Sequence, residues 1–83
     1  MKTIYKYNLE VTVCTIELPI GSKVVCVHEQ NLVPTIWVEQ ETTKLKTDFM
    51  FCVVGTGQSI PEDGFYIGTC FIGPNVWHVY QKL

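Results

Sequence analysis

Twenty-seven of the 83 residues branch at Cβ (11 Val, 7 Ile and 9 Thr), and none is alanine. Side chains branched at Cβ lose rotamer freedom in a helix and pack well on a pleated surface. A chain so composed predicts an all-β fold. Its length supports one hydrophobic core, so the expectation is a single β domain over 1–83. Charged residues make up 17% and apolar ones 47%. A folded monomer of this size exposes on the order of 5,000 Å² of surface, which leaves about one charge per ~350 Å². So sparse a cover excludes a disordered tail and argues against an isolated monomer, since uncovered apolar surface marks a subunit or ligand interface and hence a homo-oligomer or a bound partner. There is no arginine and the formal charge is −2, so the clustered cations of a nucleic-acid-polymer partner are missing. No apolar run nears the ~20 residues of a membrane helix, and the N-terminus lacks the apolar middle of a signal peptide. A cytosolic setting with no membrane partner is expected.

Alternation and turn chemistry divide the chain into short strands. Residues 4–9 and 11–18 form the first stretch, with Tyr5, Tyr7, Leu9, Val11 and Val13 on one side. Parity then shifts near Cys14 to Ile16 and Leu18, as a bulge or sharp bend would require. Strands follow over 23–30, where Val25 and Val27 share one face, and over 34–40, joined by Asn31-Leu32-Val33. Residues 41–46 read as a surface loop. The run Phe49-Met50-Phe51-Cys52-Val53-Val54 marks a strand over 47–55 covered on both faces. A loop fills 56–64, and strands 65–72 and 76–81 pair across Gly73-Pro74-Asn75. A compact antiparallel β-sandwich or small barrel of six to seven strands is predicted.

Catalytic chemistry has few candidates. Cys14, Cys26, Cys52 and Cys70 contain no C-x-x-C pair, so they read as small apolar residues in a reducing compartment rather than as a metal site. Cys70 and His78 could pair as nucleophile and base across the last hairpin, but no nucleophile turn or orienting acid accompanies them. No P-loop, H-E-x-x-H or G-x-G-x-x-G motif occurs. The expectation is a protein that is not an enzyme and carries neither metal nor cofactor.

Binding has more. Gly55-Thr56-Gly57 can leave successive N–H groups free to hold an anion, or its glycines can simply allow φ > 0 at a turn. Gly68 can admit a ligand or backbone, or mark a bulge. In 34–40, Ile36 and Val38 face one way while Thr35, Trp37 and Glu39 face the other. Cys26, His28 and Gln30 are expected to join Trp37 on a surface that stacks bases and reads their edges. A subunit interface would use the same amphipathic residues. Trp77 and Val79 fall together, with His78 and Tyr80 opposite.

The pieces Ile16-Glu17-Leu18-Pro19, Gly21-Ser22-Lys23, Trp37, Phe51-Cys52-Val53-Val54-Gly55-Thr56-Gly57, Tyr66-Ile67-Gly68-Thr69 and Val76-Trp77-His78-Val79-Tyr80 together resemble a family of small bacteriophage proteins. The chain also resembles the phage anti-CBASS sponges of small β-fold type. The resemblance implies a homotetramer that sequesters cyclic dinucleotide signals, 3′3′-cGAMP in particular, without cleaving them, in the cytoplasm of an infected bacterial host. On that reading Trp37, Tyr66 or Trp77 stacks on bases, Thr56, Gly57 and nearby amides hold phosphate, and His28, Gln30 or His78 reads base edges. Related sequences often place arginine where this chain has Phe49, and histidine where it has Gln58. Either Lys23, Lys44 or Lys46 then substitutes as a point charge for the phosphate, or the ligand is changed or lost. A structural or virion-associated module, or one that docks on a host protein, is the alternative.

Overall fold

The computed structural model describes residues 1–10 and 12–82, so the expected place of Val11 lies outside the described residues. Among the described residues all seven regular elements are β-strands. In chain order they are β1 (Lys2–Asn8), β2 (Val13–Pro19), β3 (Lys23–Gln30), β4 (Val33–Glu41), β5 (Lys46–Gly55), β6 (Gly64–Ile72) and β7 (Asn75–Lys82). They form two antiparallel sheets, ordered β1-β4-β3 and β2-β5-β7-β6. The inner faces meet on Leu9, Leu18, Ile36, Val38, Phe51, Val53 and Val79, as in a small sandwich.

The first stretch changes parity earlier than its sequence suggests. Leu9 is 2% exposed but Val13 is 53% exposed, so alternation has already broken before Cys14. The cause is topological: β1 belongs to the three-stranded sheet and β2 to the four-stranded one, and the chain crosses between them after Leu9. Tyr5 likewise stands half-exposed, whereas Tyr7 packs against the core.

Bulges account for two further departures. The register of β3 on β4 slips between Val24 and Cys26, leaving Val25 as the extra residue. Val24 and Val27 therefore face the core, while Val25 is exposed and does not share a face with Val27. A second slip, between Tyr66 and Gly68, makes Ile67 the extra residue of β6. Beside it β6 packs against β3 of the other sheet. A Cβ added at Gly68 would lie 2.8 Å from Val27 Cγ2, so Gly68 lets a side chain of the other sheet approach.

Strand β5 is central, and Phe51, Cys52, Val53 and Val54 are all buried. Phe51 and Val53 point into the sandwich. The outer-face Cys52 and Val54 have Val13, Tyr80 and His78 as cross-strand neighbours. Two tight hairpins complete the fold. Asn31 and Leu32 (φ 53° and 65°) join β3 to β4, and Gly73 (φ 56°) with Pro74 joins β6 to β7.

Candidate ligand-binding face

Trp37 sits in β4, the middle strand of the three-stranded sheet, and faces away from the core residues Ile36 and Val38. Its cross-strand partners are Lys6 on β1 and Cys26 on β3. Further along β3, His28 and Gln30 lie on the same outer face. The bulge at Val25 brings another apolar side chain to its rim. The result is an open concavity of about 620 Å³ lined by Ile4, Val25, Cys26, His28, Gln30 and Trp37, with Glu29 beside them.

Its polar groups are partly oriented already. His28 Nδ1 lies 2.6 Å from the Glu29 carbonyl oxygen, which can only accept, so Nδ1 carries a proton and Nε2 remains for a ligand. Lys6 Nζ donates to Gln30 Oε1, which leaves the Gln30 amide N–H groups as donors. Lys2, Lys6 and Lys23 share this outer face with Glu39, and Lys2 Nζ lies 3.9 Å from Glu39 Oε2. A flat ring can stack on Trp37 while imidazole and amide bond its edge and the lysine meets an anion.

The sequence candidates do not converge on one place. Trp37, His28 and Gln30 come together. Thr56, Tyr66 and His78 meet instead on the outer face of the four-stranded sheet, the opposite side of the molecule. There Thr56 Oγ1 lies 2.9 Å from His78 Nε2, and Thr69 Oγ1 lies 3.0 Å from Nδ1. Tyr66 Oη is 2.5 Å from Thr69 Oγ1, and its ring meets Tyr80 edge-on at 5.7 Å. Both nitrogens of His78 are thus engaged by hydroxyls. Trp77 belongs to neither group. It packs against the core and lines a smaller cavity of about 330 Å³ with Leu9, Val53 and Ile72.

The Gly55-Thr56-Gly57 segment is a turn closed on itself. Gln58 N–H donates to the Gly55 carbonyl at 3.0 Å, and Gly55 N–H donates to Gln58 Oε1 at 2.7 Å. Gly57 supplies the positive φ of 91°, but Gly55 has none. At Gly55 space is tight, since a Cβ there would come within 3.3 Å of Trp77 Cζ3. Phe49 packs against the core, so its position offers a ligand no polar side chain.

Cys70 and His78 face opposite sides of the four-stranded sheet. Cys70 is paired with Trp77, while His78 is paired with Thr69, so the two cannot act as nucleophile and base. Burial, and then the charge of Glu29, push the Cys70 thiol above its ordinary pKa, away from the thiolate form. Cys52 and Cys70 are buried apolar residues, as expected, but Cys26 is exposed at the Trp37 concavity. Among the described residues no group of His, Cys, Asp or Glu is placed to hold a metal ion.

A family model matches residues 1–83. The chain belongs to the DUF7352 family, described as a domain of unknown function. No curated protein and no solved structure matches it. Membership adds no ligand. Sequence reasoning missed Lys6, whose place beside Trp37 depends on the pairing of β1 with β4. A lysine at an alternating position carries no signal of its strand's partner.

Proposed function

We propose that this protein is a phage-encoded, non-catalytic binder that sequesters a cyclic dinucleotide of the 3′3′-cGAMP kind in the infected bacterial cytoplasm, blocking CBASS defence. The observation that carries this reading is the grouping of Trp37, His28, Gln30 and Lys6 at one open concavity. Trp37 offers a stacking surface, His28 Nε2 and the Gln30 amide offer edge contacts, and Lys6 offers a charge for phosphate. The sequence resemblance to phage sponges supports the same choice of ligand. A two-fold ligand of this kind fits an oligomer, in which symmetric copies present equal half-sites. Sequestration works by mass action, so preorganised contacts such as the bonded His28 serve it better than turnover would.

Titration of the purified protein with a panel of cyclic di- and trinucleotides, followed by thermal unfolding and release of ligand by heating, tests this reading. Ligand at 100 times its Kd should add about 2.7 kcal/mol of stability, and the nucleotide should be recovered intact. Trp37→Ala should weaken binding by about 1–3 kcal/mol. No thermal shift with any cyclic nucleotide would favour the protein-docking alternative, which draws on the exposed Phe71, Tyr66 and Val13 of the other sheet. Recovery of a linear product would make the protein an enzyme.

A further inference from the structure

We infer that β2 pairs with β2 of a second copy, antiparallel across a two-fold axis at Thr15, making one eight-stranded sheet from two four-stranded ones. The inference deepens the oligomer of the functional reading but needs no ligand.

It starts from the four sheet edges. β3 and β6 cover each other, since Val27 of β3 presses on Gly68 of β6. β1 is open but carries Lys2 and Lys6, the side chains that blunt an edge against pairing. β2 is the remaining edge, and Val13–Pro19 contains no lysine.

The register of β2 decides which backbone groups are free. Val53 N–H donates to the Thr12 carbonyl, and Ile20 N–H to the Leu45 carbonyl. With the register unbroken between these points, alternation sends the N–H and C=O of Cys14, Ile16 and Leu18 towards β5. Those of Val13, Thr15 and Glu17 point outward, as does the carbonyl of Pro19. At Pro19 the edge stops. Proline has no N–H to offer, and Ser22 N–H and Oγ both bond its carbonyl, at 3.1 and 2.6 Å.

The open span is symmetric about Thr15. Antiparallel pairing there sets Thr15 against Thr15 and Val13 against Glu17 of the second copy. All the outward groups of these three residues are used, giving three doubly bonded pairs. The two Thr15 side chains form a favourable cross-strand pair on the outer face. Each Glu17 meets a valine and stands about 13 Å along the strand from the other Glu17, so like charges do not oppose each other. A shift by one pair towards Pro19 would set Val13 against a residue with no donor and an occupied carbonyl. The end of the strand therefore fixes the register.

The test is mass in solution without nucleotide, read by light scattering or sedimentation, alongside amide exchange. Thr15→Pro removes a donor from the outward edge only and leaves the ladder to β5 intact, so it should halve the assembled mass. In the wild-type protein the Val13, Thr15 and Glu17 amides should exchange as slowly as that of Ile16, a measurement that stands even where the variant does not fold. A wild-type monomer overturns the pairing, and so does an assembly whose Thr15 amide exchanges as fast as the outward amides of Ile4 and Lys6 on β1. A dimer with a protected Thr15 that binds no cyclic dinucleotide supports the pairing and overturns the functional reading. A monomer that binds the nucleotide does the reverse.

Discussion

Leu32 holds a left-handed backbone, φ 65°, at the tip of the β3–β4 hairpin, with its side chain 75% exposed. A two-residue turn with both central φ values positive is favoured by Asn-Gly, because its twist matches the strands. Asn31 suits its place; Leu32 does not. For a residue with Cβ this conformation costs about 1–2 kcal/mol, and glycine would return part of that as lost chain entropy. Leu32→Gly should therefore raise stability by up to about 1 kcal/mol, equivalent to several degrees in Tm for a domain of this size. A thermal melt that is unchanged or lower would contradict this account. The bond from Leu32 N–H to Glu29 Oε2, 2.7 Å, needs only the backbone and should survive the substitution.

At the level of elements, β1 and β4 are clipped together where one begins and the other ends. The Met1 ammonium lies 2.6 Å from Glu41 Oε1, and Thr42 N–H donates to the Met1 carbonyl at 2.9 Å. Hydrogen bonding from that ammonium, and then from Thr43, lowers the Glu41 pKa from 4.5 to about 2. A carboxyl held low in the folded state contributes fully above its unfolded pKa and loses its contribution as pH falls through the folded one. This contribution should accordingly be present above pH 4.5 and disappear as pH falls towards about 2. Glu41→Gln should flatten that part of the Tm–pH curve. Curves for the two proteins that stay parallel from pH 5 to pH 2 would refute it. The strands themselves were legible to within a residue or two, because turn residues punctuate them. The faces within β3 were not, since its bulge at Val25 inverts parity with no residue type to announce it, whereas Gly68 did mark the bulge of β6.

Across the whole molecule, the joint between the sheets depends on one missing side chain. Gly68→Ala would drive its Cβ against Val27, 2.8 Å from Cγ2 and 2.9 Å from Cβ, and should cost about 1–3 kcal/mol. The double variant Val27→Ala, Gly68→Ala loses the Cγ2 contact but keeps the one to Cβ, so it should cost less than the sum of the single changes by part of the clash. Additive costs in denaturant unfolding would place the strain elsewhere. The total surface, 5362 Å², is close to the size expected for a monomer, and its exposed apolar residues include Phe71 at 70% and Tyr66 at 56%.

Composition and alternation determined the all-β class, the approximate strands, the inward Ile36 and Val38 and the outward Trp37, because side chains on a regular strand alternate whatever the partner. Tertiary structure alone decided that β1 and β2 belong to different sheets, that Lys6 stands beside Trp37, and that Trp77 and His78 lie far from that face. Each of these follows from which strand pairs with which and in what register. Register is fixed by contacts between segments distant in sequence, so a local pattern does not carry it.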